Sequence, residues 1–386
     1  MQRARRPAPA RASENARHCN GTTERPDTSR PAGYNRISMK IIVTGGAGFI
    51  GSCFVRLALG NPSLEIVNID KLTYAGNLEN LESVANHPRY RFVRADICDL
   101  EGLRRIFAEV KPDCVVHFAA ESHVDRSIFA PQPVFETNLR GTFNMLETMR
   151  AHRVERFIHV STDEVYGSLE EPLEADEQFP LQPSSPYSAG KAGSDLLALS
   201  YHKTYKLPVI VTRASNNYGP FQFPEKLIPL MITHAFDGKP LPIYGDGMQI
   251  RDWLYVEDHC QAILKIVEKG RDGEIYNIGG NRSLPNKTVV EQILAITGKP
   301  SSLIEYVADR PGHDRRYALS SEKLQRETGW SPRMDFERGL KSTVDWYRTN
   351  LEWIAHVRSG EYQKYHDQNY ANRNQELGAV VSEPRP

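Results

Sequence analysis

The sequence predicts an α/β fold built around one parallel sheet, and two observations carry that prediction. From Met39 onward, short apolar runs alternate with segments of helical period, which is the rhythm of βαβ units whose sheet is covered on both faces. A glycine-rich turn, Gly45–Gly51, follows the first apolar run at once and opens a helical segment. Strand, glycine turn and helix in that order predict a doubly wound sheet of the Rossmann type.

The glycine turn is typical of a dinucleotide-binding site. Its glycines, Gly45, Gly48 and Gly51, are spaced G-x-x-G-x-x-G, which lets the backbone turn tightly and approach a pyrophosphate that faces a helix N-terminus. A second apolar run, 64–69, ends in Asp70, about twenty residues further on, as the fold requires. A carboxylate at that place repels a 2′-phosphate, so the sequence predicts NAD rather than NADP.

The order of the elements in the first half supports this fold. The predicted strands are 40–44, 64–69, 90–95, 113–118, 156–161 and 208–213, and the predicted helices are 49–59, 99–110, 132–151 and 186–206. Polar side chains follow several of these strands, and the carboxyl ends of parallel strands face the ligand crevice. We therefore expect Asp70, Asp96, 119–122 and 161–164 to share one edge of the sheet.

The second half predicts a smaller, interleaved C-terminal lobe. Residues 216–229 are rich in Gly and Pro and predict a long ordered loop. The predicted strands beyond this loop are 241–244, 250–256 and 274–278. The predicted helices lie near 257–270, 287–298 and 335–350. We expect a cofactor domain of residues 39–214, to which 248–278 return. Residues 215–247 and 279–357 are expected to form the substrate-binding lobe.

The two ends of the chain differ from the rest in composition. Residues 1–38 are rich in Arg, Pro, Ala, Ser and Thr and carry few large apolar residues, so they predict a disordered extension or a start assigned upstream of Met39. We expect this segment to be dispensable. Residues 358–386 predict a polar tail.

Composition excludes several function classes. The 48 basic and 48 acidic residues cancel, which argues against a nucleic-acid-binding face, and no apolar run reaches the length of a membrane span. The five cysteines are odd in number and widely spaced, which suits neither a disulfide framework nor a zinc site. We expect no metal, buried thiols and a reducing cytoplasm.

Two stretches carry the candidate catalytic residues. Tyr187 and Lys191 are four residues apart on a predicted helix and therefore share one face, where the ammonium, together with the positive ring of an oxidised cofactor, favours a phenolate. This makes Tyr187 a candidate base near neutral pH. Thr162, at a strand end, can hydrogen-bond the reacting oxygen. Asp163 and Glu164 follow it as two carboxyl groups that can divide acid and base roles.

The motifs together resemble a known superfamily. The chain is similar to the extended short-chain dehydrogenases/reductases that act on nucleotide sugars, and within them to the dTDP-glucose 4,6-dehydratases. The likeness runs from residue 39 to about 350 through MKIIVTGGAGFIGS, KLTYAGN, HFAAESHVDRS, STDEVYG, SPYSAGKAGSD, RASNNYGPFQFPEKLIP and RPGHDRRYA. The glycine turn and Tyr-x-x-x-Lys mark only the superfamily. The Asp163-Glu164 pair, which the sugar epimerases of the superfamily lack, is more specific.

The resemblance implies a role for each catalytic residue. Tyr187, helped by Thr162 and Lys191, would remove the proton of the sugar 4-hydroxyl while NAD takes the C4 hydride. Glu164 would then take the C5 proton, and Asp163 would protonate the departing C6 hydroxyl. The hydride would return to C6 and a proton to C5, giving a 4-keto-6-deoxy sugar with NAD regenerated in place.

The resemblance also implies two sets of binding residues. The cofactor set is Gly45, Gly48, Phe49, Ile50, Gly51, Asp70, Lys71, Leu72, Thr73, Asp96, Ile97, Phe118, Ala119, Ala120, Ser122, Thr137, Tyr187, Lys191 and Asn217. The substrate set is Ser122, Thr162, Asn216, Lys226, Leu227, Pro242, Ile243, Tyr244, Arg251, Asn286, Asp309, Arg310 and His313. Asp70 would accept both hydroxyls of the adenosine ribose, and Arg251 suits a diphosphate because its planar fork of donors grips one.

Three further expectations stay open on the sequence. The substrate is expected to be dTDP-glucose, with UDP-glucose and GDP-mannose 4,6-dehydratases and UDP-glucuronate decarboxylases as siblings that share the framework. A non-catalytic NAD-binding regulator is the alternative of another class. A homodimer is expected through helices 132–151 and 186–206, whose apolar residues exceed those needed to cover the sheet.

Overall fold

The computed structural model describes residues 38–358. Predictions for the N-terminal extension and for the polar tail concern segments outside the described residues. Within the described part, none of the helices combines the length and apolar character that crossing a bilayer requires.

The described strands, numbered in chain order, form one large and two small sheets. They are β1 Met39–Thr44, β2 Leu64–Asp70, β3 Tyr90–Arg94, β4 Cys114–His117, β5 Arg156–Thr162, β6 Val209–Ala214, β7 Asn216–Tyr218, β8 Leu241–Tyr244, β9 Ile250–Tyr255, β10 Ile275–Ile278, β11 Ser283–Pro285 and β12 Ile304–Val307. Seven of them make one parallel sheet in the order β10-β6-β5-β4-β1-β2-β3. The predicted parallel sheet of the Rossmann type is confirmed.

The helices follow the same numbering. They are α1 Phe49–Leu59, α2 Leu100–Val110, α3 Val124–Phe129, α4 Gln132–Val134, α5 Thr142–His152, α6 Pro186–Tyr205, α7 Leu227–Asp237, α8 Val256–Lys269, α9 Asn286–Thr297, α10 Glu322–Thr328, α11 Phe336–Thr349 and α12 Leu351–Val357. Short 3-10 helices cover Leu78–Val84, Asp163–Tyr166 and Ser301–Leu303, and Phe135–Gly141 is a π-helical segment between α4 and α5.

Both faces of the large sheet are buried, as continuous apolar strands require. Ile41 and Val43 of β1 point to one face and pack in a core with α1 and α8, whereas Ile42 points to the other face and packs with Phe107 of α2 and Met149 of α5. Every residue of β5 is buried. The covered sheet is a rigid support for groups that follow its strands.

A second core lies in the C-terminal part. Trp253 of β9 and Val290 of α9 pack there with Ile232 of α7 and Leu340 of α11. Strands β11, β9 and β7 form a three-stranded sheet, and β12 pairs in parallel with β8. Strand β10 pairs with β6 in the large sheet, while β9 joins the small one. The domain boundaries expected from the sequence stay a prediction.

The structure corrects two of the sequence-based elements. Residues 216–229 are not one loop, because β7 pairs with β9 and α7 already begins at Leu227. Pro229, which suggested a loop, lies in the first turn of α7, where its missing N–H is not needed. The predicted helix 132–151 is interrupted by the π-helical segment.

Candidate active site

A cavity of about 310 Å³ lies along the carboxyl ends of the large sheet. The segments after β1, β4, β5 and β6 all line it, which is where ligands bind in open α/β sheets. The predicted edge is therefore present: Asp70, Asp96, 119–122 and 161–164 all contribute to the same cavity wall.

The glycine turn leaves room for a ligand because its glycines carry no side chains. Gly45 has a φ of +72°, and a Cβ there would lie 2.7 Å from the backbone nitrogen of Ala119. A Cβ on Gly51 would lie 2.2 Å from the carbonyl oxygen of Gly45. Both positions line the cavity and exclude any other residue, so the turn presents bare backbone at the start of α1.

Asp70 holds the glycine turn in place. Its Oδ2 accepts the amide of Ala47 at 2.9 Å and its Oδ1 accepts the amide of Leu72 at 2.8 Å. Burial raises the pKa of Asp70, and these backbone hydrogen bonds oppose that rise. Each carboxylate oxygen keeps a second lone pair, so the group remains able to accept hydroxyls from a ribose.

The structure places nearly all of the predicted cofactor residues on the cavity. Its lining includes Gly45, Gly48, Phe49, Ile50, Gly51, Asp70, Lys71, Thr73, Asp96, Ile97, Phe118, Ala119, Ala120, Ser122, Thr137, Tyr187, Lys191 and Asn217. Leu72 is the member of the set that does not line it; its φ of +58° turns the chain after Asp70. Lys71 pairs with Asp96 at 2.8 Å, which joins the ends of β2 and β3.

The first turn of α6 carries the tyrosine and is capped at its start. The Ser185 hydroxyl accepts the amide of Ser188 at 3.1 Å, and the Ser188 hydroxyl accepts the amide of Ser185 at 3.0 Å. Pro186 occupies the first helical position, which suits its fixed φ. This capping box fixes where Tyr187 begins its path into the cavity.

The environment of Tyr187 differs from the sequence-based expectation. Burial of the phenol and the nearby Glu164 carboxylate raise the pKa of Tyr187, whereas a hydrogen bond with Thr162 acts to lower it. The described residues thus keep the phenol protonated at neutral pH. The Lys191 ammonium donates to the carbonyl of Val160 at 2.7 Å, and burial lowers the pKa of Lys191 to about 8.

The two carboxyl groups after β5 have contrasting surroundings. Burial and the Glu164 charge raise the pKa of Asp163 far above its ordinary value, and its Oδ1 accepts the Thr162 hydroxyl at 3.2 Å. Burial also raises the pKa of Glu164, but the charges of Arg310, Lys226 and Arg251 oppose that rise. The cations favour the ionised form of Glu164, whereas the Glu164 charge favours the protonated form of Asp163, and such a contrast between two carboxyl groups suits an acid–base pair.

The cavity wall also carries buried polar atoms that hydrogen-bond nothing within residues 38–358. They are Ser161 Oγ, Asp163 Oδ2, Ser215 Oγ, Asn216 Oδ1, Gln222 Oε1 and His259 Nε2. Buried polar groups are nearly always paired, so such atoms indicate where a polar ligand is held. Together with the glycine cradle and Asp70, they fit a dinucleotide beside a polyhydroxylated substrate.

The predicted substrate residues divide into two groups. Ser122, Thr162, Asn216 and Lys226 line the cavity, and the Lys226 ammonium donates to the Ser122 carbonyl at 2.7 Å. The others lie beyond that lining: Leu227, Pro242, Ile243, Tyr244, Arg251, Asn286, Asp309, Arg310 and His313. Among these, the Ile243 side chain is 1% exposed and packs in the second core, so only its backbone is available to a ligand.

Two of the outlying residues are tied to α3 through Asp125. Its Oδ1 pairs with Arg310 at 3.0 Å and its Oδ2 accepts the Tyr244 hydroxyl at 2.6 Å. The Arg251 guanidinium lies 4.1 Å over the Tyr317 ring and donates to the carbonyl of Asp314 at 2.9 Å. The cationic groups therefore converge on Glu164 from the C-terminal part of the chain.

Several cavity residues were missed in the sequence. Gln222, Phe223, Glu225 and His259 line the same cavity. Gln222, Phe223 and Glu225 lie inside the block RASNNYGPFQFPEKLIP that carried the resemblance, which was the signal available for finding them. Tertiary packing brings these side chains to the cavity, and their spacing along the sequence follows no regular pattern. The linear sequence therefore does not separate them from their neighbours.

Glu225 and His259 show how these missed residues are held. Glu225 accepts from Arg126 Nε at 3.1 Å and from the Tyr74 hydroxyl at 3.1 Å. His259 Nδ1 lies 2.8 Å from Asn217 Oδ1, and burial lowers the pKa of this histidine to about 3, which keeps it neutral.

Comparisons with known proteins agree with this geometry. A family model described as GDP-mannose 4,6 dehydratase matches residues 42–343. The chain is 53% identical over 360 residues to the dTDP-glucose 4,6-dehydratase of Shigella flexneri, a match that covers 87% of this chain and 100% of the relative. It is also 53% identical to the dTDP-glucose 4,6-dehydratase of Neisseria meningitidis, over 84% of this chain and 97% of the relative.

Solved structures of dTDP-glucose 4,6-dehydratases and of a related epimerase are also similar to this chain. The dTDP-glucose 4,6-dehydratase of Bacillus anthracis in complex with NAD is 51% identical, with a TM-score of 0.78 over 83% of this chain and 100% of that chain. The Streptomyces venezuelae enzyme, solved with NAD and a second ligand bound, is 50% identical with a TM-score of 0.80 over the same shares. The UDP-glucose 4-epimerase of Thermus thermophilus with NAD is 34% identical, with a TM-score of 0.76 over 81% of this chain and 100% of that chain.

Proposed function

This chain belongs to the dTDP-glucose 4,6-dehydratase family, and from that premise we propose that it converts dTDP-glucose to dTDP-4-keto-6-deoxyglucose with bound NAD. The observation that carries the proposal is the contrast between Asp163 and Glu164 beside Tyr187. A dehydrogenase needs only the tyrosine, whereas a dehydration also needs an acid for the leaving hydroxyl and a base for the neighbouring carbon.

The chain's own residues account for the proton movements. Tyr187, hydrogen-bonded with Thr162, takes the proton of the sugar 4-hydroxyl. Glu164, whose charge Arg310, Lys226 and Arg251 favour, takes the proton from C5, which the 4-keto group has acidified. Asp163, whose pKa burial raises, gives its proton to the C6 hydroxyl, and water leaves. The proton held by Glu164 returns to C5 when C6 is reduced, which completes the 4-keto-6-deoxy sugar. NAD, when bound, would supply the two-electron oxidation at C4 and reduction at C6, and a positive charge that favours the phenolate.

We assign the binding of the two ligands to different parts of the cavity. The glycine turn, Asp70 and the Lys71–Asp96 pair are positioned for NAD, with its pyrophosphate at the start of α1. The groups near Glu164 are positioned for the nucleotide sugar, and Arg251 and Arg310, which lie beyond the cavity lining, carry the guanidinium forks that suit its diphosphate. Asp70 favours NAD over NADP because a 2′-phosphate would meet its carboxylate.

The label test distinguishes this reaction from an ordinary oxidation. Substrate deuterated at C4 is expected to give a product deuterated at C6, because the hydrogen returns within the same site. Mass spectrometry and proton NMR of the product measure its position. Loss of the label into added NAD would show that the enzyme is an ordinary dehydrogenase and that the acid pair has another use.

A panel of nucleotide sugars tests the base preference. We expect a 4-keto product from dTDP-glucose in preference to UDP-glucose, CDP-glucose and GDP-mannose. The sibling activities on UDP-glucose, GDP-mannose or UDP-glucuronate are the second candidate, favoured only by the shared framework. Absence of product from every sugar, with NAD still bound, would favour the non-catalytic regulator instead.

We further propose that the protein is a homodimer joined through α5 and α6. These helices pack against each other and leave large apolar side chains exposed: Phe143 is 41% exposed on α5 and Leu196 is 58% exposed on α6. A two-fold axis would make the two pairs self-complementary and cover them.

Charge placed on this face is expected to break the dimer. Leu196→Lys should lower the mass in light scattering to that of a monomer at micromolar concentration, because burying an unpaired ammonium is costly. Leu173→Lys is the matched control, since Leu173 is 53% exposed outside these helices. A wild type that is monomeric at this concentration would contradict the dimer.

We also propose a cytoplasmic location. Cys53, Cys98, Cys114 and Cys260 are free thiols in the described part, and three of them are buried. Free thiols of this kind suit a reducing compartment.

A further inference from the structure

Two segments that line the cavity and are far apart in the chain are joined by side chains that the proton movements above do not use. The first segment is residues 71–77, after β2, and the second is residues 219–226, before α7. Their contributions to the lining include Thr73, Ala75, Phe223 and Glu225. Tyr74 lies between two lining residues and reaches from the first segment to the second, although it does not line the cavity itself.

The contacts between the two segments centre on Tyr74. Its hydroxyl donates to the Glu225 carboxylate at 3.1 Å, and its ring meets the Phe223 ring edge-on, with 5.5 Å between the ring centres. Arg126 of α3 completes the group, because its guanidinium lies 3.8 Å over the centre of the Tyr74 ring and its Nε donates to Glu225 at 3.1 Å. The Glu225 side chain is 2% exposed, so these contacts are shielded from water. We call Tyr74, Arg126 and Glu225 the clamp.

Both ends of residues 71–77 are held at the glycine turn. At the start, Asp70 accepts the amide of Ala47, as described above. At the end, the amide of Asn77 donates to the carbonyl of Ala47 at 3.0 Å. Tyr74 therefore lies in the middle of a stretch whose ends are fixed, and the clamp fixes that middle to the segment before α7.

We propose that the clamp retains NAD on the enzyme between the two hydride transfers, and that Tyr74 is a positioning residue for this purpose. With the clamp formed, residues 71–77 stay against a cofactor held at Asp70 and the glycine turn. With the clamp broken, this segment can move away and the cofactor can leave. The proposal rests on the proposed function in that nicotinamide reduced at C4 must stay bound until C6 is reduced, since its escape would leave an intermediate with no hydride to accept.

The chemistry of the clamp suits contacts that form and open. It consists of an ion pair, a hydrogen bond and a cation over a ring, and its three residues are not members of the large hydrophobic cores. Water can solvate polar groups that separate, whereas the separation of apolar core surfaces costs free energy in proportion to their area. Loops that bind ligands are commonly the segments that open at low cost in free energy.

Release of NAD from the holoenzyme, with no sugar present, is the first test. The holoenzyme is loaded with 14C-labelled NAD and mixed with excess unlabelled NAD, and the label retained after rapid gel filtration gives the dissociation rate. Tyr74→Phe removes the hydrogen bond to Glu225 and keeps the ring beneath Arg126. Release is expected to become about tenfold faster, as for the loss of a hydrogen bond to a charged group. Glu225→Gln removes the charge that both partners use and is expected to accelerate release further.

Tyr276→Phe is the matched control. The Tyr276 hydroxyl donates to Glu327 at 2.8 Å, Glu327 pairs with Arg271 at 2.6 Å, and the Lys323 ammonium lies 4.8 Å over the Tyr276 ring. These contacts are of the same kinds as those of the clamp, but Tyr276 and Glu327 do not line the cavity. Both tyrosine variants are expected to unfold at a lower temperature than the wild type, and only Tyr74→Phe is expected to release NAD faster.

Turnover in the presence of reduced cofactor supplies a second readout. With dTDP-glucose deuterated at C4 and excess unlabelled NADH in solution, a cofactor that exchanges during the cycle places protium at C6 of the product. The wild type is expected to keep the deuterium, and the clamp variants are expected to gain protium in the order of their release rates. A contact that only stabilises the fold would not change this exchange.

An unchanged release rate in folded Tyr74→Phe would overturn the proposal. Equal acceleration in Tyr276→Phe would also overturn it, because the effect would then reflect a general loss of stability. If Tyr74→Phe fails to fold, the release rate of Glu225→Gln decides in the same way. The release test uses no sugar, so slow release of NAD by a wild type that forms no product would contradict the proposed function alone.

Discussion

Replacing Tyr187 by phenylalanine is expected to lower kcat by on the order of a hundred- to ten-thousand-fold. The phenol is 8% exposed, and phenylalanine keeps its ring, so packing is preserved while the acceptor for the proton of the 4-hydroxyl is lost. Without that acceptor the oxidation at C4 does not start. The measurement is a stopped-flow record of nicotinamide absorbance after mixing with dTDP-glucose, in which this variant should show no rise.

A matched control lies on the same helix. Tyr205→Phe removes a hydroxyl from a side chain that is 51% exposed at the end of α6 and is expected to leave kcat unchanged. Near-wild-type turnover by Tyr187→Phe would show that another group accepts the proton.

Replacing the two acids is expected to stop the reaction one stage later, with a loss in kcat of the same order. In both Asp163→Asn and Glu164→Gln the sugar can still be oxidised at C4, since Tyr187 and Thr162 remain. Elimination of water then stalls, so reduced nicotinamide should accumulate on the enzyme when substrate is added. Absorbance that rises and persists is the expected signal, whereas in the wild type it should be fleeting.

Hydrogen exchange at C5 separates the two variants. Asp163→Asn keeps Glu164 as a base, so the C5 hydrogen should still exchange with heavy water although no water is lost from the sugar. Glu164→Gln has no base at C5 and should show no exchange. Exchange in Glu164→Gln, or its absence in Asp163→Asn, would reverse or refute the assigned roles.

The same assignment fixes the direction of the pH dependence. Asp163 acts as an acid and must be protonated, so its contribution falls as pH rises through its raised pKa. Glu164 acts as a base and must be ionised, so its contribution falls as pH drops through its own raised pKa. Turnover of the wild type is therefore expected to follow a bell-shaped profile, and Glu164→Gln should lose the acid limb that belongs to that carboxylate.

Much of the fold was predictable because its signals are local. The strand–turn–helix at Gly45–Gly51, the apolar runs of β1 to β6 and the acid at the end of β2 are each read within a few neighbouring residues. The α/β alternation then requires a parallel sheet whose strand ends meet at one edge. The elements missed by this reasoning were short ones, such as β7, or began at a proline-containing turn, as α7 does.

By itself the sequence determined which residues are available for the chemistry: the glycine turn, Tyr187 with Lys191, and the adjacent Asp163 and Glu164. Only the tertiary structure decided their protonation, because a pKa depends on burial and on charges that come from distant parts of the chain. The charges that act on Glu164 include Arg251 of β9 and Arg310 after β12, and Asp195 of α6 meets Arg213 of β6. Such contacts cannot be predicted from the spacing of residues in the sequence, because tertiary packing brings these charges together.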